Sequence, residues 1–101
     1  MRIIGGNLKG RSLEFLKSDS TRPLKDSVKE NIFNILTHSN KIDVKIEKAD
    51  VLDLYSGIGS FGLECISRDA NSVTFIEKEI QPLNILKKNI SNLSIQKKTH
   101  V

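Results

Sequence analysis

Asp53-Leu54-Tyr55-Ser56-Gly57-Ile58-Gly59-Ser60-Phe61-Gly62 is the stretch that decides how this chain is read. Gly57, Gly59 and Gly62 are spaced G-x-G-x-x-G, and the apolar run Val51-Leu52-Asp53-Leu54 leads into them as a short strand. Glycines at such a turn let the backbone bend sharply and approach a ligand without Cβ collisions. Residues 60–68 follow as a short helix with Phe61, Leu63 and Ile66 available for packing. Asp69-Ala70-Asn71 turns into a second strand, Ser72-Val73-Thr74-Phe75-Ile76, and a helix is predicted over 79–91. Pro82 is compatible with that helix because it lies in the first turn. Ile80, Leu83, Leu86 and Ile90 form its predicted buried stripe, and Lys87, Lys88 and Asn89 are expected to face water. Strand, helix, strand, helix in that order implies a parallel sheet with right-handed crossovers.

Upstream, Arg2-Ile3-Ile4 reads as a short strand, and Gly5-Gly6-Asn7 supplies residues able to take positive φ. Arg11-Ser12-Leu13-Glu14-Phe15 alternates polar and apolar, the period of a half-buried strand, so residues 1–15 are predicted to form a β-hairpin. Residues 17–25 are polar and contain Pro23, which marks a loop. Ser27 through Leu36 is predicted as a helix that opens with a capping box between Ser27 and Glu30. Its apolar face is expected to comprise Val28, Ile32, Ile35 and Leu36. The chain thus divides into a hairpin and helix over 1–37, a connector over 38–49, and the glycine-turn unit over 50–101.

A chain of 101 residues can form one small domain with a modest core. Its 38% hydrophobic and 28% charged fractions belong to an ordinary globular protein, not a disordered one. The longest apolar run is far short of a bilayer span, and glycine breaks the N-terminus too early for a signal-peptide core. Cys65 is the single cysteine, which excludes an internal disulfide and suits a reducing, cytoplasmic compartment. The net charge of +4 is unevenly laid out. Residues 1–30 carry a balance of +3, residues 31–86 one of −3, and residues 87–101 hold four lysines without an acid. A basic front on a near-neutral body is what contact with a phosphate backbone requires, although lysine used for solubility gives the same pattern.

Glu77 stands twenty residues after Gly57, at the tip of the second strand. An acid there can accept hydrogen bonds from both hydroxyls of a ribose. Dinucleotides and S-adenosylmethionine both carry such a ribose. Asp53 tilts the choice, because a pyrophosphate would not favour an anion at the end of the first strand. The sulfonium and ammonium of S-adenosylmethionine would favour it. Tyr55-Ser56 also lengthens the turn beyond the tight junction of most dinucleotide sites. The candidate cofactor residues are therefore Asp53, Tyr55, Ser56, Gly57, Gly59 and Glu77. A glycine-rich turn without ligand remains the alternative. Glu64 reads as a solvated acid or one near the helix N-terminus, and Cys65 as a small buried residue. His38 and His100 have no partner at a metal or triad spacing.

Three blocks of the chain resemble, in order, the RsmD-type 16S ribosomal RNA guanine-N2 methyltransferases. Arg2-Ile3-Ile4-Gly5-Gly6 with Lys9-Gly10-Arg11 is similar to the family's opening. Thr21-Arg22-Pro23 followed by Asp26, Val28, Glu30 and Phe33-Asn34 is similar to its second signature. Val51 through Glu64 resembles its cofactor turn, and Val73-Thr74-Phe75-Ile76-Glu77-Lys78 its ribose strand. The resemblance implies an α/β, partial Rossmann-like class I methyltransferase fold, a βαβα unit preceded by an N-terminal β-hairpin and helix. It implies S-adenosylmethionine as cofactor, ribosomal RNA or the assembling small ribosomal subunit as partner, and no membrane. Arg2, Lys9, Arg11 and Arg22 become candidate RNA contacts. Arg22 would lie near the cofactor or the RNA, or else fix its loop at the surface.

One element of the family pattern is missing. Its catalytic Asp/Asn-Pro-Pro-aromatic turn does not occur, since the only prolines are Pro23 and Pro82. The sequence reaches Val101 about where a third strand should begin. Little or no methyl transfer is expected of this chain alone, and a missing C-terminal half is the expected complement. The competing readings are a non-catalytic module that binds cofactor or RNA, and a nicotinamide-dinucleotide-binding fragment.

Overall fold

The computed structural model describes residues 1–16, 25–39, 41 and 44–101. Strand β1, Asp50–Leu54, lies parallel to β2, Ser72–Ile76, with Asp50 opposite Ser72 and Leu54 opposite Ile76. Strand β3, Thr99–His100, joins the other side of β2, with Val73 opposite Thr99. The sheet order is β1-β2-β3, so the third strand does begin where the sequence reading expected it.

Among the described residues three α-helices accompany the sheet: α1 Asp26–His38, α2 Ser60–Ser67 and α3 Ile80–Leu93. Helix α2 is the central one, with every residue from Gly62 to Ser67 buried. It lies so close to β2 that a Cβ at Gly62 would collide with the Phe75 ring. Val73 and Phe75 of β2 pack into the core together with Leu63, Cys65, Ile66, Leu86, Ile90 and Leu93. Alternation sends Leu52, Leu54 and Ile76 to the opposite face of the sheet, where each is at least half exposed. The helices α1 and α2 meet through Phe33, whose ring stacks on Phe61 at 5.0 Å and lies 4.5 Å beneath the Arg68 guanidinium.

Several local expectations are corrected. The predicted N-terminal hairpin is reduced to one antiparallel bridge, Arg2 with Ser12, flanked by Ile3 N–H to the Arg11 carbonyl at 3.0 Å and Leu13 N–H to the Met1 carbonyl at 2.9 Å. Its turn, closed by Gly10 N–H to the Ile3 carbonyl at 2.9 Å and Arg11 N–H to the Leu8 carbonyl at 3.0 Å, also bonds to α2. Asn7 N–H donates to the Ser67 carbonyl at 2.7 Å, and Leu8 N–H donates to Ser67 Oγ at 2.9 Å. The capping box does not form, because α1 begins at Asp26 with Lys25 as its cap residue and no side-chain cap bond. Ser27 thereby falls inside the helix. The buried face of α1 is Lys29 and Phe33, whereas Val28 and Ile35 are exposed. On α3, Leu86 and Ile90 are buried as expected, but Ile80 is exposed and Asn89 is buried.

Candidate functional site

At the C-terminal tip of β1 the chain leaves the sheet through Tyr55, which takes a left-handed φ of 55° and is 87% exposed. Ser56 then pins the turn to β2. Its N–H donates to the Ile76 carbonyl at 3.0 Å, and its hydroxyl lies 2.8 Å from the Asp53 carbonyl and 3.1 Å from that of Ile76. Gly59 caps α2 at φ 92°, and a Cβ there would strike Leu86 of α3. Glycine is required at that point by both conformation and space. Gly57, at φ 58°, has open space where a Cβ would stand.

Both acids are bonded to this turn. Asp53 is opposite Phe75 in the parallel register of β1 and β2, and Glu77 directly follows the last residue of β2. Asp53 Oδ2 accepts the Gly62 N–H at 3.1 Å. Glu77 Oε1 accepts the Gly57 N–H at 2.8 Å, and its Oε2 accepts the Glu79 N–H at 2.8 Å. Each carboxylate oxygen retains a further lone pair for a ligand. Burial pushes the Asp53 carboxyl above the usual carboxylate range, with the Gly62 N–H pulling the other way. A desolvated anion beside a glycine turn is a poor neighbour for phosphate and a good one for a cation. Asp53, Tyr55, Ser56, Gly57, Gly59 and Glu77 therefore form one contiguous lip at the end of β1 and β2.

Sequence reasoning missed the buried ionic cluster beneath that lip. Glu64, read from the sequence as a solvated acid or one near the helix N-terminus, is fully buried. Its carboxylate accepts Ile4 N–H at 2.9 Å, Gly5 N–H at 2.9 Å and Arg68 Nε at 2.9 Å, and stands 3.3 Å from Lys29 Nζ. Desolvation alone would raise its pKa, but the Ile4 N–H, the Arg68 guanidinium, the Gly5 N–H and the Lys29 ammonium outweigh it. The Glu64 carboxyl is held below the ordinary range. Lys29, also fully buried, donates to the Arg2 carbonyl at 2.8 Å and to Ser60 Oγ at 3.2 Å. The opening Arg2-Ile3-Ile4-Gly5 is thus clamped against α1 and α2 by charge as well as by Ile3. The signal available in sequence was an acid inside an otherwise apolar helix face, Leu63-Glu64-Cys65-Ile66.

The basic candidates are spread more widely. Arg2 pairs with Asp26 at 3.2 Å at the surface, and Arg11 Nη2 donates to the Asn92 carbonyl near the end of α3 at 3.0 Å. Lys88 of α3 pairs with Glu14 at 3.2 Å, so the basic front and the lysines of α3 lie on adjoining elements. Lys9 is exposed on the N-terminal turn. Arg22, with its Thr21-Arg22-Pro23 block, lies outside the described residues. Cys65 is fully buried, and burial, followed by the charges of Asp53 and Glu64, pushes its thiol up to about 12. Among the described residues no three His, Cys, Asp or Glu side chains cluster as metal ligands, and no helix is long and apolar enough to cross a membrane.

A parallel sheet whose first strand runs through a glycine turn into a buried helix, with an acid closing the next strand, is the front part of a class I methyltransferase fold. The chain belongs to the family described as Conserved hypothetical protein 95, which matches residues 1–101 and includes the RsmD-type proteins. It is 42% identical over 93 residues to "Ribosomal RNA small subunit methyltransferase D" of Haemophilus influenzae, covering 92% of this chain and 45% of that protein. The protein of the same description from Escherichia coli K12 is 39% identical over 93 residues, with 92% and 44% covered. A solved structure described as "Putative methyltransferase yhhF from Escherichia coli" superposes with a TM-score of 0.82 at 35% identity. It covers all of this chain and 50% of its own. The chain spans about half the length of the curated relatives it matches.

Proposed function

We propose that this chain is the S-adenosylmethionine-binding part of a methyltransferase acting on an exocyclic guanine amine of small-subunit ribosomal RNA. The observation that carries the reading is that Asp53 and Glu77, from the ends of adjacent parallel strands, are both bonded to the glycine turn. The donor set fits the cofactor. Glu77 offers carboxylate oxygens toward a ribose diol, Asp53 a half-buried anion toward a cationic amino-acid portion, and Gly57 open space above the backbone. When bound, S-adenosylmethionine supplies the methyl group on its sulfonium. Ser56 holds the turn in place, and the exposed Tyr55 ring covers one side of the nucleoside. Arg2, Lys9, Arg11 and Arg22 form the RNA-contacting front on residues 1–37, and a cytoplasmic location follows from the same reading.

No Asp/Asn-Pro-Pro-aromatic run is present to hold the target amine, so the chain by itself is expected to bind cofactor without measurable transfer. Calorimetry or amide chemical shifts with S-adenosylhomocysteine and, separately, with a nicotinamide dinucleotide test the reading. The expected result is saturable binding of the first only, weakened by Asp53→Asn. Because burial raises the folded-state pKa of Asp53, its ionised form opposes folding at neutral pH. Asp53→Asn, which still accepts the Gly62 N–H, should therefore leave stability at pH 7 unchanged or higher while affinity falls. Preference for the dinucleotide, or equal affinity of wild type and Asp53→Asn, overturns the reading.

A further inference from the structure

Two buried polar side chains join the N-terminal segment to the glycine turn. Asn89 of α3, 1% exposed, accepts the Glu14 N–H at 2.8 Å through Oδ1. Its Nδ2 lies 3.1 Å from the Glu14 carbonyl and 3.2 Å from the carbonyl of Ile58, inside the turn. Lys29 of α1 makes the second bridge, from the Arg2 carbonyl to Ser60 Oγ at the turn's far end. Both ends of the N-terminal arch, Arg2 and Glu14, are therefore tied to residues that flank Gly59. Leu86, one helical turn from Asn89, packs where a Cβ on Gly59 would fall, so α3 presses on the same point.

The geometry points to Asn89 as a positioning residue that makes the glycine turn and the N-terminal segment respond as one body. The inference rests on the reading that the turn holds S-adenosylmethionine and the segment meets RNA. A ligand that stiffens the turn stiffens the arch through Asn89 and Lys29, and an ordered arch has less freedom left to lose when RNA arrives. Linkage is reciprocal, so RNA on the segment tightens the turn's hold on its ligand by the same factor. Asn89 touches neither ligand; it acts through the carbonyl of Ile58 and the backbone of Glu14.

The test is an amide-resolved titration of the intact chain with S-adenosylhomocysteine, followed by hydrogen exchange at saturation. Amides of Gly57 to Ser60 are expected to shift, and those of Arg2, Ile3 and Glu14 to shift along the same saturation curve. Exchange at Glu14 should slow by about fivefold or more, the lower range of coupling between linked sites. Asn89→Asp keeps the acceptor for the Glu14 N–H but removes the donor that faces the Ile58 and Glu14 carbonyls. It should retain the response of the turn and lose that of the segment, whereas Lys87→Ala, on the exposed side of the same helix, should retain both. Turn shifts without segment shifts in the wild type overturn the inference and leave the cofactor reading standing. Absence of shifts anywhere overturns both. The wild-type titration decides the matter even if Asn89→Asp does not fold.

Discussion

Glu64→Gln is the perturbation that most directly tests how the N-terminal segment is held. The wild-type carboxylate takes two main-chain N–H groups and the Arg68 Nε, all at 2.9 Å, with the Lys29 ammonium at 3.3 Å and no solvent contact on either partner. Glutamine keeps the shape but offers one acceptor oxygen and an NH2. One of the Ile4 and Gly5 amides is then faced by a donor, and Lys29 loses its counter-charge while keeping the Arg2 carbonyl and Ser60 hydroxyl. Breaking one side of a buried ion pair costs about 3–5 kcal/mol. Small domains are stable by roughly 5–15 kcal/mol, so about a fifth or more of the total is at stake. With a urea slope of about 2 kcal/mol/M, the midpoint should fall by about 2 M. Amide exchange at Ile4 and Gly5 should rise well beyond that of the α3 core, and Lys29→Met on the Glu64→Gln background should recover part of the loss. The pH profile has a definite sign. The folded-state pKa of Glu64 lies below its unfolded value, so its stabilisation is complete above the ordinary glutamate range of about 4.3 and disappears as pH falls through the folded value. The variant should lose that acid-side slope. A stability within about 0.5 kcal/mol of wild type, or unchanged protection at Ile4 and Gly5, would refute the reasoning.

Gly6→Ala and Gly10→Ala form a matched pair, since φ is 79° at Gly6 and 85° at Gly10. A Cβ at Gly10 meets nothing, whereas one at Gly6 runs into the Ser67 main chain. Gly10→Ala should lose about 1–2 kcal/mol from left-handed strain alone, and Gly6→Ala distinctly more, with melting points lower by at least ~5 °C for each further kcal/mol. Equal losses would show that the arch is not seated on α2 as described. Tyr55→Gly removes a strained φ of 55° and leaves the core untouched, so urea midpoints should barely change. Affinity for S-adenosylhomocysteine should nevertheless fall if the ring covers the nucleoside.

The glycine-turn unit was legible because its signals are local. The short apolar stretches Val51–Leu54 and Ser72–Ile76, the three glycines, and the acid closing the second strand all lie within thirty residues, and β1, α2 and β2 follow with ends within a residue or so. What escaped notice depends on partners far along the chain. Glu64 is buried because Ile4, Gly5 and Lys29 come to it, and Asn89 because Glu14 does. A helical wheel assigns such polar residues to water, which is why Lys29 of α1 and Asn89 of α3 turned out buried against expectation. The capping box failed for a nearer reason. Ser27 and Glu30 have the right spacing, yet Asp26 already enters the helix and Lys25 occupies the cap position.

The seclusion of Cys65 gives the molecule a native gauge of its own breathing. Its sulfur sits at the middle of α2 behind Glu64, and a thiol pushed up to about 12 carries almost no thiolate at neutral pH. Alkylating reagents can reach it only when α2 lifts from the sheet. The labelling rate of this single sulfur therefore measures how often the scaffold beneath the nucleoside lip opens, and ligands that steady that scaffold should slow it.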